Sequence, residues 1–147
     1  HRVGQLDPAR KLYGKLIALD PTHTEAVSNY LSLLAEEAPT EALQKLHELE
    51  QANPHYSPIA AQLAALYEKG GKLDRAVEKI RRAVELSPEN LSYRYNYAVL
   101  LDKAGRWGDA AGAYRHLLNA RERGQSIPGD ADEIQERLTF IMSNKTM

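Results

Sequence analysis

Cysteine is absent, which excludes disulfides, thiolate metal sites and cysteine nucleophiles. An excess of either charge is absent too. The 19 Lys and Arg nearly cancel the 20 Asp and Glu, leaving a net charge of −1, so no global basic field draws in nucleic acid or anionic lipid. No apolar run reaches the length of a membrane span; the longest, Ile59 to Leu66, is interrupted by Gln62. Glycine and proline are sparse, 9 and 7 of 147 residues, which leaves room for long helices. What is present is a globular composition, 43% hydrophobic and 27% charged, in a length that suits one domain. His1 opens the chain with neither Met nor leader, and from that a fragment of a longer polypeptide is expected. Cytoplasm and periplasm stay equally open.

Motifs for catalysis and cofactor chemistry are missing as well. The histidines, at 1, 23, 47, 55 and 116, form no His-x-x-x-His pair, so no metal site is expected and these rings read as solvated helix residues. The glycines make neither a phosphate loop nor a dinucleotide fingerprint. No catalytic residue, metal or cofactor is assigned. Basic residues Lys79, Arg81, Arg82, Arg115, Arg121 and Arg123 alternate with Glu78, Glu85 and Glu122. That interleaving predicts a salt-bridged outer face rather than a nucleic-acid surface.

Internal repetition decides the fold. Gly4, Gly71 and Gly105 are each followed two residues on by an apolar side chain (Leu6, Leu73, Trp107) and five on by Ala (Ala9, Ala76, Ala110). A further copy keeps Ala42, Leu46 and Pro54 without the Gly. Ala42, Ala76 and Ala110 are spaced by 34, as are Pro54 and Pro88, and a constant spacing means stacked copies of one supersecondary unit. The chemistry fits a helical hairpin. Gly supplies the positive φ that ends a helix. Ala lets two helix backbones approach, and Tyr13, Leu46, Ile80 or Tyr114, one turn later, fills the space beside that crossing. Pro21, Pro54 and Pro88 stop the second helix of each unit. Apolar periodicity places core faces at Ala60, Leu63, Ala64 and Tyr67, then at Arg94, Tyr97, Ala98 and Leu101, with helices near 8–19, 23–37, 40–52, 57–69, 73–86, 90–104, 107–122 and 130–143.

This pattern resembles the tetratricopeptide repeat family over residues 4 to 122, through Tyr30, Leu31, Leu34, Ala42, Leu46 and Pro54; Leu63, Ala64, Tyr67, Gly71, Ala76, Ile80 and Pro88; and Tyr97, Ala98, Leu101, Gly105, Ala110 and Tyr114. Val27, Ala60 and Arg94 stand where the family usually has Trp. The resemblance implies an all-α, right-handed superhelical solenoid of antiparallel helix pairs. A single domain over 1–147 divides into the second helix of a truncated repeat (1–21), repeats at 22–54, 55–88 and 89–122, and a capping helix and tail (129–147). In the capping helix Ala131, Ile134, Leu138, Phe140 and Ile141 are expected inward and Glu133, Gln135, Glu136 and Arg137 outward, with Asp130 as N-cap.

The resemblance further implies that first helices line a concave groove and that the working surface is there. By register the groove residues are Ser28, Asn29 and Ser32; Ala61, Gln62, Ala65 and Lys69; and Ser92, Tyr95, Asn96, Val99 and Lys103. Amides recurring at Asn29, Gln62 and Asn96 can hydrogen-bond a ligand backbone in both senses, with Tyr95 and Val99 as an apolar anchor. Chaperone-binding members of the family grip a chain-end carboxylate with Lys and Arg. Here Ser28, Ser32, Gln62 and Ser92 hold those places, so a peptide or helix bound through amide and apolar contacts is expected instead. The function that follows is a protein-interaction scaffold without catalysis. The alternative is a substrate-positioning accessory region of a larger enzyme or secretion machine. Residues 126–138 are similar to the tails of bacterial repeat proteins of pilus and secretion assembly. Leu12, Leu16, Ile17 and Leu19, within residues 6–20, are expected to pair with a second copy.

Overall fold

Gly71 and Gly105, 34 residues apart in the sequence, both take left-handed backbone, with φ of 77° and 76°. In the computed structural model, which describes residues 38–144, each closes its helix in the same way. Lys72 N–H donates to Tyr67 O at 2.8 Å and Arg106 N–H to Leu101 O at 2.9 Å, while the Gly71 and Gly105 N–H groups reach Glu68 O and Asp102 O. This pair of bonds satisfies carbonyls that a helix end would otherwise leave open. Gly124 (φ 88°) repeats the arrangement, with Gln125 N–H on Ala120 O.

The described residues form six helices and no strand: α1 (Pro39–Ala52), α2 (Ser57–Lys69), α3 (Leu73–Leu86), α4 (Leu91–Lys103), α5 (Trp107–Glu122) and α6 (Ala131–Asn144). Their ends fall within a residue of those expected from periodicity. The expected helices at 8–19 and 23–37 and the pairing face at 6–20 lie outside the described residues. Asn53 and Ser87 end α1 and α3 just before Pro54 and Pro88, and the Ser57 and Ser87 hydroxyls, 2.7 Å apart, tie the start of α2 to the end of α3. Among the described residues, substantial packing runs only between helices consecutive in sequence. That is the mark of a one-dimensional stack rather than a closed bundle, and the fold is an all-α helical-repeat solenoid.

The core follows the repeat chemistry. Ala42, Ala76 and Ala110 have no exposed surface, and Leu46, Ile80 and Tyr114 are buried beside them. Ala60, Leu63, Ala64 and Tyr67 of α2 and Ala98 and Leu101 of α4 complete it, each large aliphatic stabilising by about 1.5–3 kcal/mol. Three expectations are corrected. Arg94 is not core: its side chain is half exposed and its Nε donates to Pro88 O at 2.7 Å, since a guanidinium cannot be buried without partners. In α6, Ile134, Leu138 and Ile141 are buried but Phe140 is 49% exposed, because among the described residues the main packing on that helix comes from α5, along one stripe. Arg137 does not face outward, as described next.

Candidate partner-binding groove

The last turns of α2 and α4, the first helices of two successive units, meet. Lys103 Nζ, in the last turn of α4, donates to Glu68 Oε2, in the last turn of α2, at 2.7 Å. Ser28, Asn29 and Ser32 lie outside the described residues. Of the other expected groove residues, Ala65, Lys69, Ser92, Asn96 and Lys103 are exposed, and Ala61, Gln62, Tyr95 and Val99 are half-buried. The side-chain amides of Gln62 and Asn96, one repeat apart, have no partner among the described residues. Ala61, Ala65 and Val99 neighbour them by register on the same two helices.

Two of the expected residues are engaged within the protein. Lys103 is held by Glu68. Tyr95 lies under the segment leading into α6: a Cβ added at Gly129 would sit 2.7 Å from Tyr95 Cε1, so only glycine allows that closeness, and its φ of 79° needs glycine as well. Asp130 Oδ1 then accepts the Asp132 N–H at 2.8 Å and caps α6.

At the same end of the groove Arg137 makes a two-pronged contact with Asp102, Nε to Oδ2 and Nη2 to Oδ1, both at 2.7 Å. The Tyr114 hydroxyl donates to Asp102 Oδ2 at 2.9 Å. Burial by itself would raise the Asp102 carboxyl, but the hydrogen bonds from Arg137 and Tyr114 and the Arg137 charge outweigh it and hold the group below its ordinary value. Burial, with the Asp102 carboxylate beside it, pushes the Tyr114 phenol well up. A cleft of about 200 Å³ remains between Tyr95, Asp102, Tyr114, Ile134 and Arg137.

The two ion pairs are copies of each other. Glu68-Lys69, Asp102-Lys103 and Glu136-Arg137 recur every 34 residues, and in each step the acid of one unit meets the base of the next. Sequence reasoning missed this ladder, although the acid–base dipeptide at constant spacing announces it, and read α6 only as a cap. Through Arg137 it instead occupies the ladder position of a following first helix. His47 also differs from expectation: it is not simply solvated, since its Nε2 lies 2.8 Å from the Tyr67 hydroxyl.

Among the described residues no three His, Asp or Glu converge on a metal position, and no helix is long and apolar enough to cross a membrane.

Comparison with known proteins agrees with the architecture. The sequence signature of the tetratricopeptide repeat family matches residues 33–81, ending within α3. No curated protein matches the chain by sequence. Among solved structures, MamA from Desulfovibrio magneticus RS-1 superposes with a TM-score of 0.65 at 21% identity, over 84% of this chain and 71% of that one. The thermophilic TPR protein TTC0263 of Thermus thermophilus gives 0.63 at 24% identity, over 95% of this chain and 74% of its own. A chain of the Naa15/Naa10 structure bound to HypK-THB gives 0.67 at 19%, over 77% of this chain and 17% of that one. The signature marks a tetratricopeptide repeat within residues 33–81, and these folds share the all-α helical-repeat architecture.

Proposed function

We propose that the protein is an interaction scaffold whose concave face, formed by the first helices, holds a peptide or helix of a protein partner. The observation that carries this is the pair of unpartnered amides at Gln62 and Asn96, one repeat apart, with Ala61, Ala65 and Val99 neighbouring them by register. Amides at a regular interval match the main-chain donors and acceptors of an extended segment, and Val99 supplies an apolar contact. Asn29, Ser28 and Ser32 extend the same rows by register, Lys69 and Ser92 border them, and Tyr95 offers the edge of its ring that Gly129 leaves uncovered. The likeness of residues 126–138 to pilus- and secretion-assembly tails supports a partner within a bacterial multiprotein assembly.

The test is selection of peptides from a displayed library, followed by calorimetric titration of the wild type and of Gln62→Ala/Asn96→Ala. At least about a tenfold loss of affinity, worth about 1.4 kcal/mol, with an unchanged melting temperature is expected. Equal binding by the double variant, or no peptide selected above background, refutes the groove.

A further inference from the structure

A second surface lies on the side of α4 away from the groove residues, where the second helices α3 and α5 part. The cleft there, about 350 Å³, is lined by Arg81 of α3, Arg94 and Tyr97 of α4, Arg106 of the α4–α5 turn, and Gly112 and His116 of α5. Its floor is open because α5 carries Gly at 112, where an added Cβ would meet nothing within 4 Å, and because α4 carries Arg94 where the repeat pattern has a large ring.

The charges in this cleft are unbalanced. Arg94 spends only its Nε, on Pro88 O. Arg81 has no ion pair among the described residues, and neither do its helix neighbours Glu78 and Glu85. The expected salt-bridged outer face is therefore not formed here; Lys79 instead reaches Glu50 on α1 at 2.8 Å. Asp109 is the one acid in the lining, 3.6 Å from Arg106. Three guanidiniums thus face a single carboxylate in a chain of net charge −1. The excess is local, and local excess attracts a local complement. The His116 imidazole beside them is pushed below its ordinary value by burial and then by the Arg94 and Arg123 charges, as a cationic cleft requires.

We propose that this cleft is a second docking site, independent of the groove, which takes an acidic segment of a protein partner by pairing its carboxylates with Arg81, Arg94 and Arg106. Guanidiniums suit carboxylates because two parallel hydrogen bonds form at once. The three come from three different elements and from one open cleft, so they match several carboxylates along a chain better than one enclosed ion. Tyr97 gives that chain an apolar contact. A nucleic acid would need a longer basic track than these three residues supply.

The experiment is fluorescence anisotropy with a labelled oligoglutamate peptide, its oligoglutamine counterpart, inorganic phosphate and oligothymidylate. Oligoglutamate is expected to bind and oligoglutamine not, with phosphate competing only weakly. Gly112→Glu, which places a carboxylate on the open floor of a helix that tolerates a side chain, should weaken oligoglutamate by at least about tenfold, and Arg81→Gln by several-fold. Gly112→Ala and Lys72→Gln, the latter removing an exposed charge outside the cleft, should leave it unchanged. Circular dichroism confirms that each variant is folded. Equal weakening by Lys72→Gln, no effect of Gly112→Glu in a folded protein, or tighter binding of oligothymidylate at the same site would each overturn the proposal. Selected groove peptides should bind Gly112→Glu normally, which separates the two surfaces.

Discussion

Arg137 reaches back 35 residues to Asp102 through two hydrogen bonds of 2.7 Å, and Lys103 reaches back 35 residues to Glu68 through one. The same relation is built twice, but its surroundings differ. The Asp102 side chain is 12% exposed and also bound by Tyr114, whereas Glu68 and Lys103 are 35% and 53% exposed. The inner pair docks the last helix, and the outer pair lies on solvated surface.

The two pairs should therefore respond differently to truncation. Asp102→Ala leaves a buried phenol and a guanidinium without their acceptor and should cost about 1–3 kcal/mol, with faster amide exchange concentrated in α6. Lys103→Ala should cost about 0–1 kcal/mol, since exposed pairs contribute little. Chemical denaturation of both variants measures the contrast, and equal losses would contradict it.

Gly129→Ala should destabilise the approach to α6 for two separable reasons, the Tyr95 ring at 2.7 Å and a φ of 79°. The backbone part amounts to about 1–2 kcal/mol. In a double-mutant cycle, Tyr95→Ala should relieve the ring clash and leave the backbone part. A purely additive cycle would show that the ring does not press on this position.

Two glycines should respond to the same substitution with opposite sign. Gly105→Ala forces a side chain into left-handed backbone (φ 76°) and should lose about 1–2 kcal/mol. Gly112→Ala, inside α5 with nothing within 4 Å of the new Cβ, should gain about 0.5–1 kcal/mol. Thermal melts of the two variants check both signs.

Acid should destabilise the protein in two stages. The His116 imidazole lies below its ordinary value of 6.5 in the fold, so the unfolded chain takes up that proton first and stability falls as pH drops from about 6.5. The Asp102 carboxyl lies below its ordinary 3.8, so the stability it contributes is present above that value and is lost as pH falls through the lower folded one. His116→Gln should flatten the first stage and Asp102→Asn the second in melting temperature plotted against pH. Profiles parallel to wild type would exclude these groups as the cause.

Much of the fold was legible because its signals are local. Gly71 and Gly105 with positive φ, the prolines after Asn53 and Ser87, and the buried Ala42, Ala76 and Ala110 all act within one turn of chain. The equivalence of Gln62 and Asn96 was legible for the same reason, as positions one period apart. Arg137 and Phe140 were misjudged because their surroundings come from elsewhere: an acid 35 residues back and the absence of a covering helix among the described residues. The loop glycine packed on Tyr95 was out of reach of the sequence for the same reason. The signal for Arg137 was there in the repeating acid–base dipeptides, but it becomes a contact only once the units stack.

Repetition, composition and turn residues by themselves determined an all-α stack of hairpins and the residues that form its seams, since helix periodicity and glycine or proline stereochemistry operate over a few bonds. Tertiary structure alone decided which charges are spent. It gave Asp102 to Arg137 and Glu68 to Lys103, and left Arg81, Arg94 and Arg106 facing a single Asp109. Coulomb partners are chosen by distance through space, and that distance exists only after the helices have packed.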